Sequence, residues 1–181
     1  MTAPNPQEAQ RNRRFLLIFL SIFVVVCIGT TIYGFQVVER VKLQATRSDQ
    51  ALRLRAWSIL AAADADGRFP ANEAQADAQL DRSGLEGPLQ EGASSENPED
   101  FGLTGQGWPS TRVAALDGLV GEPIPLDAKT IGEIVVISWD PEGRLSPVLT
   151  VSGRPSGLVK GGTTLELVNR WLQRAADQLG R

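Results

Sequence analysis

Few side chains in this chain of 181 residues can carry acid-base or nucleophilic chemistry. Histidine is absent and the single cysteine is Cys27, so Ser-His-Asp and Cys-His arrangements cannot form in their usual types. A serine-lysine dyad is the remaining nucleophilic arrangement, and its lysine would be Lys42, Lys129 or Lys160. No serine stands in a recognisable peptidase motif. The sequence therefore gives little support to a hydrolase of these classes.

Two pairs of closely spaced carboxylates, Glu96 with Asp100 and Asp140 with Glu142, have the residue types that glycoside hydrolysis requires. Both pairs lie in segments rich in Gly, Pro or Ser, which are typical of exposed turns. Exposed loop carboxylates are far commoner than catalytic pairs, so we expect surface residues at these positions. The protein is predicted not to be an enzyme, and no small-molecule substrate is inferred.

The run Asp64-x-Asp66-Gly67 resembles the start of a calcium-binding loop. An EF-hand loop needs an oxygen ligand at position 5 and a glutamate at position 12, where this chain has Arg68 and Gln75. A helix end at Gly67 explains the pattern better, because glycine is the preferred residue just past a helix. No metal site is predicted.

The glycines of Gly102-x-x-Gly105-x-Gly107 have the reversed spacing of a dinucleotide-binding fingerprint. The authentic motif also needs a strand before it and a helix after it, and neither is predicted here. We expect turns and no cofactor.

One segment, Phe15 to Phe35, is 21 residues long without a charge and spans about 31 Å as a helix. A cleaved signal peptide is the alternative, but its apolar region would be shorter and would end in small residues. We therefore predict an uncleaved transmembrane helix at residues 15–35. A membrane lipid environment follows from this prediction.

Basic residues flank the segment on both sides, with Arg11, Arg13 and Arg14 before it and Arg40 and Lys42 after it. Long domains cross membranes largely regardless of charge, whereas a short tail with clustered arginines stays on the cytoplasmic side. Residues 1–14 are predicted to be a cytoplasmic tail. The rest would lie in the periplasm, as a single-pass protein of the bacterial inner membrane.

The charge beyond the membrane segment is segregated. Residues Glu39 to Arg55 carry five basic and two acidic side chains, whereas Glu73 to Asp100 carries eight acidic side chains against Arg82 alone. Proteins that bind nucleic acid need clustered basic residues, so no nucleic-acid partner is expected.

No proline interrupts the chain between Phe35 and Gly67, and apolar or small residues recur there at spacings of three and four. The pattern predicts an amphipathic helical extension over residues 36–69, continuous with the membrane helix as far as Asp66. Pro70 prevents any further helix.

The apolar run from Phe15 after a basic stretch, a first helix of about fifty residues, and the turn Asp64-Ala-Asp-Gly-Arg-Phe-Pro70 together resemble type IV pilins and type II secretion pseudopilins. The resemblance covers about residues 11–70. Arg14 stands where prepilin cleavage requires glycine, and Phe19 stands where the mature chain carries a glutamate at its fifth position. The resemblance implies a pilin-like architecture. Arg14 and Phe19 argue against the processing and the filament assembly that pilins undergo.

Residues 70–181 are predicted to form an extracytoplasmic α+β domain with an antiparallel sheet and a C-terminal helix. The expected elements are a short acidic helix over 72–82, a long loop over 84–109, a short strand or turn over 113–120, and strands at 131–139 and 145–151 joined by a hairpin turn at 140–144. Thr163 and Glu166 form the pattern of a capping box at the start of the last helix.

Two hypotheses for function remain. The first is a non-enzymatic structural or assembly subunit of a larger membrane complex, in which Gly29, Thr30 and Gly34 contact other transmembrane subunits through close helix packing. The second is a pilin-like component of a secretion or pilus machine. Arg14 and Phe19 favour the first.

Overall fold

A computed structural model describes residues 6–94, 96–119, 123–153 and 156–180, with side chains from Phe15 onward. The chain divides into two compact units, Met1–Lys42 and Leu43–Arg181, and each unit is described by itself. The fold class is α+β, with a long apolar N-terminal helix, small sheets that include antiparallel strands, and a C-terminal helix.

The first helix, α1, runs from Pro6 to Asp66. It begins nine residues before Phe15, so the described part of the predicted tail, from Pro6 to Arg14, is helical. Gly67 follows the helix with φ at +66°, a left-handed conformation that favours glycine. The predicted end of the helix at Gly67 is confirmed.

The part of α1 in the second unit is buried on all sides. Every residue from Ser48 to Asp64 is buried, whereas the sequence pattern predicted one apolar stripe facing the domain. The polar and charged side chains of this stretch are enclosed as well, namely Ser48, Asp49, Gln50, Arg53, Arg55, Ser58 and Asp64. This part of α1 is therefore the central helix of the core.

Ten further elements follow α1 among the described residues of the second unit. They are α2 (Glu73–Asp77), β1 (Ala93–Ser94), β2 (Trp108–Pro109), α3 (Arg112–Leu116), α4 (Ala128–Ile134), β3 (Val135–Ser138), β4 (Val148–Val151), β5 (Leu158–Val159), β6 (Gly162–Thr163) and α5 (Thr164–Leu179). Three two-stranded sheets form: β1 with β2 in parallel, and β3 with β4 and β5 with β6 antiparallel.

The predicted strand at 131–139 is helical over its first half. Asp127 caps α4 by accepting a hydrogen bond from the backbone N–H of Thr130 at 2.9 Å, and the helix runs to Ile134. Only Val135–Ser138 is a strand. The β-branched residues predicted a strand, but the N-cap and the burial of Ile131 and Ile134 in the core stabilise a helical turn there.

Two other segments also differ from the sequence-based expectation. In the segment 113–120, predicted as a strand or turn, the residues as far as Leu116 belong to the helix α3, which Thr111 caps through Ala114 N. A turn follows at 117–118, and Val120 lies outside the described residues. The predicted acidic helix at 72–82 is the shorter α2, capped by Asn72. The cap at Thr111 favours the helix α3, and the apolar pattern does not record that cap.

The loop at 84–109 is held against the C-terminal helix. Arg174 on α5 donates from Nη1 to the carbonyl oxygens of Gly102, at 3.1 Å, and Gly107, at 2.8 Å, and from Nη2 to that of Leu103. The loop also contains β1 and β2, which pair with each other. The guanidinium of Arg174 thus satisfies backbone carbonyls of the loop, and this allows an irregular segment to pack on the core.

The predicted turn at 140–144 is confirmed, whereas the strand predicted to begin at residue 145 begins at Val148. β3 and β4 pair with Val136 opposite Thr150, and Asp140 accepts hydrogen bonds from the backbone N–H groups of Leu145 and Arg144, both at 2.8 Å. Gly143, with φ at +67°, supplies the left-handed residue of the turn.

We expect Asp140 to make the stability of the domain depend on pH. The hydrogen bond from Leu145 N–H, followed by those from Glu142 and Arg144, holds the pKa of Asp140 below its ordinary value. Because the folded-state pKa is lowered, the stabilisation is present above the ordinary pKa of about 4 and is lost as the pH falls through the folded-state value. Thermal unfolding of the wild type and Asp140→Asn should differ at neutral pH and converge in acid. A constant difference down to the lowest pH would contradict this role.

The C-terminal helix begins as predicted. Thr163 and Glu166 form a reciprocal capping box, in which the Thr163 hydroxyl accepts from Glu166 N and the Glu166 carboxylate accepts from Thr163 N at 2.8 Å. Val168, Trp171, Leu172 and Ala175 are buried in the core, as expected of the apolar face of this helix.

Candidate functional site

The apolar segment of α1 forms the candidate site of the first unit. From Phe15 to Phe35, the large apolar side chains range from 46% exposed at Val24 to 73% exposed at Phe19. Among the described residues this is one helix long and apolar enough to span a membrane, and it lies near the N-terminus. These properties fit a single-pass membrane protein.

The serine and threonine hydroxyl groups of this segment are satisfied within the helix, whereas Tyr33 is 69% exposed. Ser21, Thr30 and Thr31 each donate a hydrogen bond of 2.8 Å to the backbone carbonyl four residues earlier, those of Leu17, Val26 and Cys27. Polar groups in hydrocarbon must find such partners because no water is available there. The segment thus presents almost no unsatisfied polarity on its surface.

The predicted packing residues do not share one face of the helix. At about 100° per residue, Thr30 and Gly34 lie about 40° apart around the axis, whereas Gly29 and Gly34 lie about 140° apart. A Cβ atom added at either glycine would meet no atom within 4 Å. The structure therefore brings Thr30 and Gly34 together and leaves Gly29 on another face, with open space at both glycines.

The predicted flanking residues lie on α1 as well. Arg40 and Lys42 are exposed and follow Phe35 by about one and two helical turns. Arg11, Arg13 and Arg14 belong to the helical backbone of α1, but their side chains lie outside the described residues. Exposed cations at the end of an apolar span are suited to anionic lipid head groups.

In the second unit, polar side chains of α1 are buried and fastened to the surrounding segments. Arg55 is fully buried and forms ion pairs with Glu73 and Asp77 of α2. Gln50 accepts a hydrogen bond from Ile124 N at 2.8 Å, and Gly157 N donates one to Asp49 at 2.8 Å. This network was not predicted from the sequence, although the charged residues Asp49, Arg53, Arg55 and Asp64 in a largely apolar helix were a usable signal.

Asp64 is the most connected carboxylate of this network. It is buried, accepts hydrogen bonds from the backbone N–H groups of Glu86, Gly87 and Leu89 at 2.8 to 3.0 Å, and pairs with Arg82 at 3.2 Å. Its oxygens are thus engaged by the protein itself. The run at residues 64–67 is structural here and fastens the start of the long loop to the end of α1.

The buried Arg53 is held differently from Arg55. Its Nη1 donates to the carbonyl oxygens of Ala115, at 3.1 Å, and Asp117, at 2.7 Å. Loss of hydration on burial lowers the pKa of Arg53, and the charges of Asp49 and Asp117 partly offset that effect.

The other motifs considered from the sequence have local structural roles. The Asp100 carboxylate accepts from the Ser94 hydroxyl at 3.3 Å, Glu142 pairs with Arg144 at 3.1 Å, and Lys160 pairs with Glu99 at 3.3 Å. In the glycine-rich run at 102–107, a Cβ atom at Gly105 would lie 2.1 Å from the carbonyl oxygen of Asp100, so glycine is required for a tight turn.

The layout of the chain is a long N-terminal apolar helix followed by a small globular domain, and this layout is consistent with that of a pilin. Comparison of the chain with protein-family models, with curated proteins and with solved structures found no match.

Proposed function

We propose that the protein is a non-enzymatic, single-pass structural or assembly subunit of a larger membrane complex in the bacterial inner membrane, with its globular domain in the periplasm. The observation that carries the proposal is the exposed apolar segment from Phe15 to Phe35, whose serine and threonine hydroxyls are satisfied internally, on the same helix that forms the centre of the domain core. The residues of α1 in the first unit form the proposed anchor, and those from Ser48 to Asp64 form part of the core of the second unit.

A structural role also accords with the composition. The chain has no histidine, and its single cysteine lies in the apolar segment, so the second unit lacks an imidazole base and a thiol nucleophile. The buried charges of that unit serve to fasten α1 to the loops and helices around it.

Other transmembrane subunits are the proposed partners of the segment, and the face containing Thr30 and Gly34 is the proposed contact. Small residues let helix backbones approach closely, and this packing substitutes for a hydrophobic driving force in lipid. We expect Gly34→Leu to reduce the partners recovered by co-purification about tenfold, because a bulky side chain would separate the helices. The measurement is quantitative mass spectrometry of the complex purified from native membranes.

Gly29→Leu is the matched control for this experiment. It adds the same side chain to the same segment, about 140° away around the helix. If partners touch only the Thr30 and Gly34 face, Gly29→Leu leaves recovery unchanged; if both glycines lie in contacts, both variants lose partners. Full recovery with Gly34→Leu would remove this face from the proposal.

A pilin-like component of a secretion or pilus machine is the second candidate, and the layout of the chain favours it. Processing of a pilin would remove the residues before Phe15. Because Arg14 stands where the peptidase requires glycine, we expect the intact mass of the purified protein to include that leader, with or without Met1. A mature chain beginning at Phe15 would make the pilin-like function the leading one.

The orientation is tested with a single introduced thiol. In a Cys27→Ser background, Ser152→Cys places a thiol on an exposed residue of the second unit. We expect it to react with a membrane-impermeant maleimide once the outer membrane is permeabilised, while the inner membrane is intact. Protection until the inner membrane is lysed would reverse the orientation.

A further inference from the structure

A cavity of about 630 Å³ lies in the second unit. Its walls come from the central helix, the loop around Phe101, the segment after α3, the β5–β6 hairpin and α5. Its apolar lining includes Phe101, Leu103, Leu158, Val159 and Leu167. Small-molecule sites typically have volumes of about 300 to 1,000 Å³ and mostly apolar walls with a few polar groups.

The polar group of this cavity that stands out is Arg53. The residue is only 3% exposed, yet its guanidinium forms no ion pair with any carboxylate in the described part of the chain. Its Nε is buried without a hydrogen-bond partner among those same residues, as is the Nε of Arg55, so the missing ion pair is what distinguishes Arg53. Buried arginines are normally paired, as Arg55 is with two carboxylates.

The surroundings of Arg53 supply too few hydrogen-bond acceptors for its guanidinium group. Nη1 donates hydrogen bonds to two backbone carbonyls, and Nη2 donates none to any residue in the described segments. Asp49 and Asp117 act on Arg53 without forming an ion pair, and Asp117 also lines the cavity. Glu99, another lining residue, pairs with Lys160. Arginine stays protonated in proteins, so the cavity contains a permanent cation beside apolar walls.

We propose that this cavity binds a small monocarboxylate carrying an apolar group, with the carboxylate on Arg53 and the apolar group against Phe101, Leu103 and Leu158. The guanidinium would gain the charged acceptor that the protein does not supply, and the walls would exclude water from the apolar group. No bond is made or broken. The proposal adds a ligand site to the second unit and does not depend on the structural-subunit function.

The test uses 4-phenylbutyrate and its uncharged counterpart 4-phenylbutanamide as probes of the full chain in lipid nanodiscs. Ligand-observed NMR, with empty nanodiscs subtracted, measures both affinities. We expect the acid to bind about ten- to a hundredfold more tightly than the amide, because a hydrogen bond to a buried cation distinguishes them. Equal binding of the two, or no binding of the acid above empty nanodiscs, would overturn the proposal.

Variants locate the site. Arg53→Gln should abolish the preference for the acid, whereas Arg53→Lys, which keeps the charge, should retain part of it. Since Arg53→Gln also alters buried hydrogen bonds and could unfold the domain, Leu158→Asp provides a second test at a residue that is 80% exposed. We expect Leu158→Asp to weaken binding of the acid at least about fivefold through lost apolar contact and charge repulsion.

Val113→Asp is the matched control, because Val113 is equally exposed at 80% and does not line this cavity. Binding of the acid should be unchanged in this variant. Unchanged binding in Leu158→Asp, or equal weakening in both Asp variants, would mean that the acid does not bind in this cavity.

Discussion

The full-length protein should remain in the membrane pellet after extraction with alkaline carbonate, and three carboxylates placed in the apolar segment should release it. Fifteen large apolar side chains between Phe15 and Phe35 are exposed on α1. At about 1.5 kcal/mol or more each, leaving them in water costs roughly 20 kcal/mol. Ile22→Asp, Val25→Asp and Ile28→Asp together add about 8 to 10 kcal/mol to the cost of membrane insertion.

The control for this experiment carries the same three charges elsewhere. Val113, Leu145 and Leu158 are the strongly exposed large apolar residues of the second unit, and their combined change to Asp leaves the segment intact. We expect this control to stay in the pellet. Recovery of the wild type in the soluble fraction at its unprocessed mass would refute membrane anchoring, and with it the proposed function.

The second large effect is expected from Asp64→Ala, which should unfold the second unit or bring it close to unfolding. The substitution leaves the backbone N–H groups of Glu86, Gly87 and Leu89 without their acceptor, and Arg82 without its buried partner. Removing one partner of a buried charge pair costs about 3 to 5 kcal/mol. Whole domains are stable by only about 5 to 15 kcal/mol, so this is a large fraction of the total.

Asp66→Ala is the matched control, because Asp66 is an exposed aspartate on the last turn of the same helix. Denaturant unfolding of the full chain, followed by tryptophan fluorescence, should shift strongly for Asp64→Ala and within about 0.5 kcal/mol for Asp66→Ala. Trp57 and Trp108, both buried in the core, report the transition. Equal midpoints for the two variants would contradict the role assigned to Asp64.

The chain's local features were predictable from the sequence because short-range physics determines them. A run of 21 uncharged residues is long and apolar enough to span a bilayer whatever follows it. Gly67, the turn at 140–144 and the capping box of Thr163 and Glu166 depend on backbone conformation and on hydrogen bonds a few residues apart. Each of these elements lies where its residues indicated.

The residues around Ile131 show where local reasoning was insufficient. Their β-branched side chains indicated a strand, but the same side chains are buried equally well on α4, and the cap at Asp127 favours the helix. A run of apolar residues predicts that the segment is buried. The residues that pack against it decide whether the buried segment is a helix or a strand.

Tertiary structure alone decided the environment of the central helix and of the candidate ligand site. The spacing of three and four indicated one buried face, whereas segments more than a hundred residues apart, such as Asp49 and Gly157, enclose α1 from Ser48 to Asp64. Whether a buried arginine meets carboxylates, as Arg55 does, or only carbonyls, as Arg53 does, depends on those distant segments. Local spacing in the sequence cannot specify such contacts, because they depend on which distant segments pack against the helix in the tertiary structure.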